Sequence, residues 1–173
     1  MTERYPWYDF VEGDDLEQGD IIEGCPVAVA TETETADGRW KLQWEERDLV
    51  VLSQSCDLVK GREKVSEVLM AAVWKQSELS GHLATPKGLE DARRGNLPGV
   101  HLLASSDFAG TASEILVVDF RRVSALPLAF LRKRVLTQQR RLRLLPPYRE
   151  HLSQAFARFF MRVGLPVDIP AFR

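Results

Sequence analysis

The sequence predicts a mainly β fold with helices, a small β-barrel or curled sheet that carries an inserted loop region and a C-terminal α-helix. Three observations point there. Several short β-type runs are separated by turn residues, with no long helices alternating between them. One stretch, 76–113, is rich in glycine and proline and lacks periodicity. A single strong helical stripe falls near the C-terminus. With 173 residues, 45% apolar and 28% charged, the chain suits one domain, 1–173, able to bury a sizeable core.

Residues 1–18 read as an irregular acidic lead-in, anchored by Tyr5, Trp7, Tyr8 and Phe10. Asp20–Ala30 is apolar and β-branched, and Ala36-Asp37-Gly38 supplies a turn. Trp40–Trp44 then alternates with period two, the pattern of a half-buried strand. Asp48–Ser53 is a continuous apolar run, expected where both faces of a strand are covered. Val65–Val73 and Glu114–Phe120 repeat that character, so the barrel strands are placed at 18–75 and 114–124. The intervening 76–113 holds His82 and His101 and one helical turn near Leu89–Arg94. Residues 125–173 form a basic helical segment. Pro146-Pro147 marks the start of its final helix and Gly164 with Pro166 its end. Tyr148, Leu152, Ala155, Phe156, Phe159 and Val163 make its apolar stripe, with His151, Gln154, Arg158 and Arg162 beside it. Phe160 and Met161 are left at the margin, where a subunit contact is expected.

The formal charge of −2 hides a separation along the chain. Residues 1–60 carry a balance of −10, residues 61–120 one of −2 and residues 121–173 one of +10. Either the acidic and basic ends pack together, or the basic end meets phosphates or an acidic partner, or protomers pair head to tail. The candidate cationic surface is Arg132, Lys133, Arg134, Arg140, Arg141 and Arg143, interleaved with aliphatic residues. It lacks the aromatic platforms on which single-stranded bases stack, so it speaks for phosphate contact alone.

Two cysteines make no disulfide framework, and a reducing cytoplasmic setting is expected. No run reaches the length of a membrane span. The cysteines and histidines lack metal-ligand spacing, so neither metal nor cofactor is expected. Cys56, with Asp57 beside it, is the candidate nucleophile in Ser53-Gln54-Ser55-Cys56-Asp57-Leu58. Against this, the neighbouring carboxylate disfavours a thiolate. The expected reading, ahead of the catalytic one, is a small buried thiol with Asp57 capping the following turn.

Gln18-Gly19-Asp20-Ile21-Ile22 resembles the opening strand of the MazF/PemK family of toxin ribonucleases. Glu46–Gln54, Val68–Val73 and Val118–Ser124 resemble later strands of that family, in the same order over about half the chain. The resemblance implies a small SH3-like barrel, usually a homodimer, that acts on single-stranded RNA in a bacterial toxin–antitoxin or defence setting. Its functional arginine falls on Arg47, where a guanidinium would stabilise a phosphate during attack by the RNA 2′-hydroxyl. The family's partner threonine falls near Trp74, and no hydroxyl residue stands there. The expected function is therefore binding of RNA or a protein partner. Metal-independent endoribonuclease activity and a purely structural or regulatory role are the alternatives. Ser53–Leu58 and Tyr148–Pro166 also resemble a group of bacterial proteins without assigned activity.

Overall fold

A computed structural model describes residues 5–34, 37–106 and 114–161. In chain order the elements are β1 (Tyr8–Glu12), β2 (Asp20–Glu34), β3 (Trp40–Val51), β4 (Glu67–Lys75), α1 (Pro86–Arg93), β5 (Val100–Leu103), β6 (Leu116–Pro127), α2 (Leu128–Thr137), β7 (Arg140–Leu144) and α3 (Tyr148–Phe160). The strands form one antiparallel sheet in the order β1-β7-β2-β3-β4-β6-β5. The mainly β expectation holds. The closed barrel does not: β1 and β5 are the two edges and do not pair.

The reason lies in what covers the sheet. Val50, Ala71, Val73, Val118 and Phe120 face one way, toward Leu152, Phe156 and Phe159 of α3. Leu49, Val51, Met70 and Ala72 face the other way, toward Leu128, Leu131 and Val135 of α2. Alternate residues of β3 and β4 are thus buried on both sides, which is why their sequences read as unbroken apolar runs. With a helix on each face, the sheet has no need to curl round an interior of its own.

The segment 76–113 is more structured than a loop. Thr85 caps α1, its hydroxyl accepting from the Gly88 amide at 3.0 Å. Ala92 packs with Val100 and Val117 over the β5–β6 edge. Residues 107–113 lie outside the described residues, as do Met1–Arg4 and the expected helix stop at Gly164 and Pro166. The acidic lead-in is also not irregular throughout. Tyr8–Glu12 pairs with β7, where Phe10 lies opposite Leu142.

The basic C-terminal part is likewise not one helical block. Arg140–Leu144 is a strand, because Leu142 and Leu144 alternate into the core while Arg141 and Arg143 point to the opposite face. There both meet Asp20, which is fully buried. Arg141 donates through Nε at 2.8 Å and Arg143 through Nε at 2.5 Å. Arg141 also donates to the carbonyls of Gly13 and Asp15, and Arg143 to Glu17. Gly19 beside this cluster has φ +87, and a Cβ there would stand 2.9 Å from Leu144 Cβ. The Gly-Asp pair is therefore where β2, β7 and the acidic segment are locked together. Among the described residues no helix is long and apolar enough to cross a membrane.

Candidate functional site

Three elements converge at one side of α3. β5 is a four-residue edge strand that places His101 opposite Val118 of β6 and near the Phe120 ring, centroids 6.4 Å apart. On α3, His151, Gln154 and Arg158 recur at helical spacing beside the buried apolar stripe. The C-terminal end of α1 brings Arg93 and Arg94, and the chain turns away at Gly95 with φ +76. Together these enclose a cleft of about 420 Å³.

No carboxylate lines this cleft among the described residues. Arg93 and Arg94 share Glu90, each with a contact of 2.6 Å. Arg158 is exposed and forms no ion pair among the described residues. His101 Nε2 is enclosed and has no hydrogen-bond partner there. Burial, and then the neighbouring charge of His151, push the His101 imidazole down to about 4, so at neutral pH it is uncharged. A second compartment of about 350 Å³ continues past the same two histidines and is lined by Trp7 and Tyr148. Those rings stack at 3.6 Å with an angle of 7°, and Tyr148 meets His151 edge to face at 6.1 Å. The arrangement offers cations to an anion and aromatic surface to a flat ring beside it.

Arg47 sits elsewhere, in a groove of about 510 Å³ together with Glu45, Glu46, Asp48, Lys75 and Glu78. Its side chain is only 10% exposed, and its guanidinium donates to one Glu45 oxygen at 3.1 and 2.6 Å. Arg47 in turn holds the Glu45 carboxyl below its usual range. Trp74 lines this groove, with Arg122 5.6 Å above its ring. Carboxylates outnumber cations around Arg47, so a phosphate entering there meets net repulsion.

Cys56 is exposed rather than the small buried thiol expected, since its turn projects from the end of β3. Cys25 is the buried cysteine. The Cys56 thiol lies 3.6 Å from Asp57 Oδ1, and Asp57 pairs with Lys64 at 3.1 Å. No hydrogen bond joins Cys56 to a histidine among the described residues. The surrounding motif acts as a clamp. Ser53 Oγ accepts from the Leu69 amide at 2.9 Å, Ser55 Oγ accepts from the Gln18 amide at 3.1 Å, and Leu58 is buried.

The basic set is largely engaged within the fold. Arg132 pairs with Glu63 at 2.6 Å and donates to the Leu58 carbonyl. Arg134 donates to the carbonyls of Glu23 and Gly24. Arg141 and Arg143 are held by Asp20. Arg140 is exposed with its guanidinium 4.6 Å over the Phe10 ring, and Lys133 is also exposed. Of the three ways to settle the charge separation, the ends packing together accounts for Arg141 and Arg143, whereas Arg132 is taken by Glu63 of the middle segment.

Sequence reasoning named His101 only as a loop residue and His151 and Arg158 only as a polar stripe. The signal that could have joined them was that stripe's position at the margin of the apolar one. No group of three or more His, Cys, Asp or Glu residues that could hold a metal ion occurs among the described residues. No protein-family model and no curated protein matches the chain.

Proposed function

We propose that the protein binds single-stranded RNA, holding a phosphate between Arg158, Arg94 and His151 and an unpaired base against the Trp7–Tyr148 compartment. The observation that carries this reading is the convergence of imidazole and guanidinium groups in a cleft that no carboxylate lines among the described residues. Free phosphate would need only the cationic half. The adjoining aromatic half fits a nucleotide, and the resemblance of β2, β3, β4 and β6 to MazF/PemK strands favours RNA among nucleotides. Arg47 contributes little here, since Glu45 already takes its guanidinium.

The test is fluorescence anisotropy of a labelled single-stranded RNA. Binding is expected to weaken with salt, with a logarithmic slope of roughly −0.7 for the one phosphate held in the cleft. Arg158→Ala should weaken it by about tenfold, the loss of one charge-assisted contact, while Arg47→Ala leaves it unchanged. Affinity indifferent to Arg158→Ala refutes this site.

A second reading, metal-independent RNA cleavage, is favoured by the two imidazoles lining one cleft. One would accept the 2′-hydroxyl proton as the 2′-oxygen bonds to phosphorus. The other would donate a proton to the departing 5′-oxygen as the P–O5′ bond breaks. Shortened RNA in the presence of a chelator, lost in His151→Ala, supports it; intact RNA after long incubation refutes it.

A further inference from the structure

The β2–β3 hairpin extends beyond the sheet. β7 pairs only with Asp20 and Ile21 of β2, and β4 pairs only with Asp48–Val51 of β3. Residues 25–30 and 42–47 are therefore paired with each other alone. A lone two-stranded ribbon is marginal in water, so its two faces must be accounted for. One face is. Cys25 and Val27 are buried with Leu131 and Val135 of α2, and Val29 packs against them. The other face is not. Trp40, Leu42 and Trp44 lie on it at alternate positions, 58%, 69% and 73% exposed. Across the ladder, Ala30 lies opposite Leu42 and Ala28 opposite Trp44, and both alanines are exposed as well.

We infer that this face packs on the same face of a second copy of the chain. It carries a stripe of large side chains beside a stripe of small ones. A second ribbon related by a two-fold axis along the ribbon sets its large stripe over the first ribbon's small one. The three large side chains expose on the order of 400 Å². That is about half of the roughly 800 Å² each partner gives a standard interface, with the alanines and strand edges supplying more. Residues 37–48 carry a net charge of −1, low enough for two copies to approach, whereas the acidic strand base at Glu45, Glu46 and Asp48 repels nucleic acid. Trp40, Leu42, Trp44, Ala28 and Ala30 are not among the residues that line the Arg158 cleft.

Sedimentation of the full chain across 1–200 µM (roughly, spanning weak to tight association) reads the outcome. The expected result is a dimer of the 19.6 kDa chain. Leu42→Glu and, independently, Ala30→Arg should each raise its dissociation constant at least about 100-fold by burying an unpaired charge. Both sites are exposed in the single chain, so circular dichroism should be unchanged. A double Phe160→Ser, Met161→Ser variant should remain dimeric. A chain monomeric throughout overturns the inference, as does a dimer indifferent to both ribbon variants. Dissociation by the Phe160/Met161 variant alone, or a monomer whose ribbon tryptophans respond only to RNA, also overturns it.

Discussion

Replacing Asp20 by asparagine removes one charge from the most buried ionic cluster among the described residues. Asp20 is fully buried and the Arg141 side chain is only 2% exposed. Breaking such a pair leaves a buried guanidinium uncompensated, which costs about 3–5 kcal/mol. Arg141 keeps its bonds to the carbonyls of Gly13 and Asp15, and asparagine can still accept one hydrogen bond, so the lower end, about 3 kcal/mol, applies. Against a typical total of about 5–15 kcal/mol this is a large fraction. In urea, with a slope of about 2 kcal/mol per molar, the midpoint should fall by about 1.5 M. The cluster is shielded from solvent, so the drop should persist in high salt. An Asp20→Asn midpoint within about 0.3 M of wild type would refute the reasoning. It would mean that the acidic and basic ends are not held together by this cluster, and would return Arg141 and Arg143 to the pool of cations open to ligand.

Gly19→Ala should destabilise by about 2 kcal/mol, through a positive φ and the close approach to Leu144; a fall in melting temperature of roughly 4–8 °C is expected, and no fall contradicts it. Stability should also decline as the pH drops from about 6.5 toward 4. The unfolded chain takes up the His101 proton first, near its ordinary value, while the folded protein resists it down to about 4. The full gap corresponds to about 3 kcal/mol. His101→Phe should flatten that part of the pH–stability curve, leaving the carboxylate contribution, and an unchanged curve would count against a buried neutral imidazole. Glu45→Gln should free the Arg47 guanidinium without creating RNA affinity beyond that of wild type, because Glu46, Asp48 and Glu78 remain in the groove; a marked gain would restore Arg47 as a ligand site.

The layers of the fold were legible where side-chain pattern alone decides structure. Asp48–Ser53 announced a strand covered on both faces, and Leu49/Val51 against Val50/Leu52 show it. The spacing of Tyr148, Leu152, Phe156 and Phe159 announced α3 and its buried face. What misled was pattern completed by distant partners. Tyr8–Glu12 looked like an acidic tail because its pairing with Arg140–Leu144 crosses most of the chain. Trp40–Trp44 read as half-buried because alternation does not say whether the apolar face finds a cover within the chain. The arginines of β7 looked like a ligand surface because nothing local reveals that Asp20 consumes two of them. The cleft was illegible for the same reason. His101 and His151 are fifty residues apart, and only the placement of edge strand β5 against α3 brings them together.

The chain has three histidines, and they divide cleanly: His101 and His151 line the cleft, while His82 pairs with Asp91 at 3.1 Å on the exposed side of α1. Imidazole resonances followed by NMR during titration with a short single-stranded RNA therefore read the cleft directly. Movement of His101 and His151 with His82 stationary is the predicted result. Saturable RNA binding that leaves both cleft imidazoles unmoved, with changes gathered instead around Lys133 and Arg140, would contradict it.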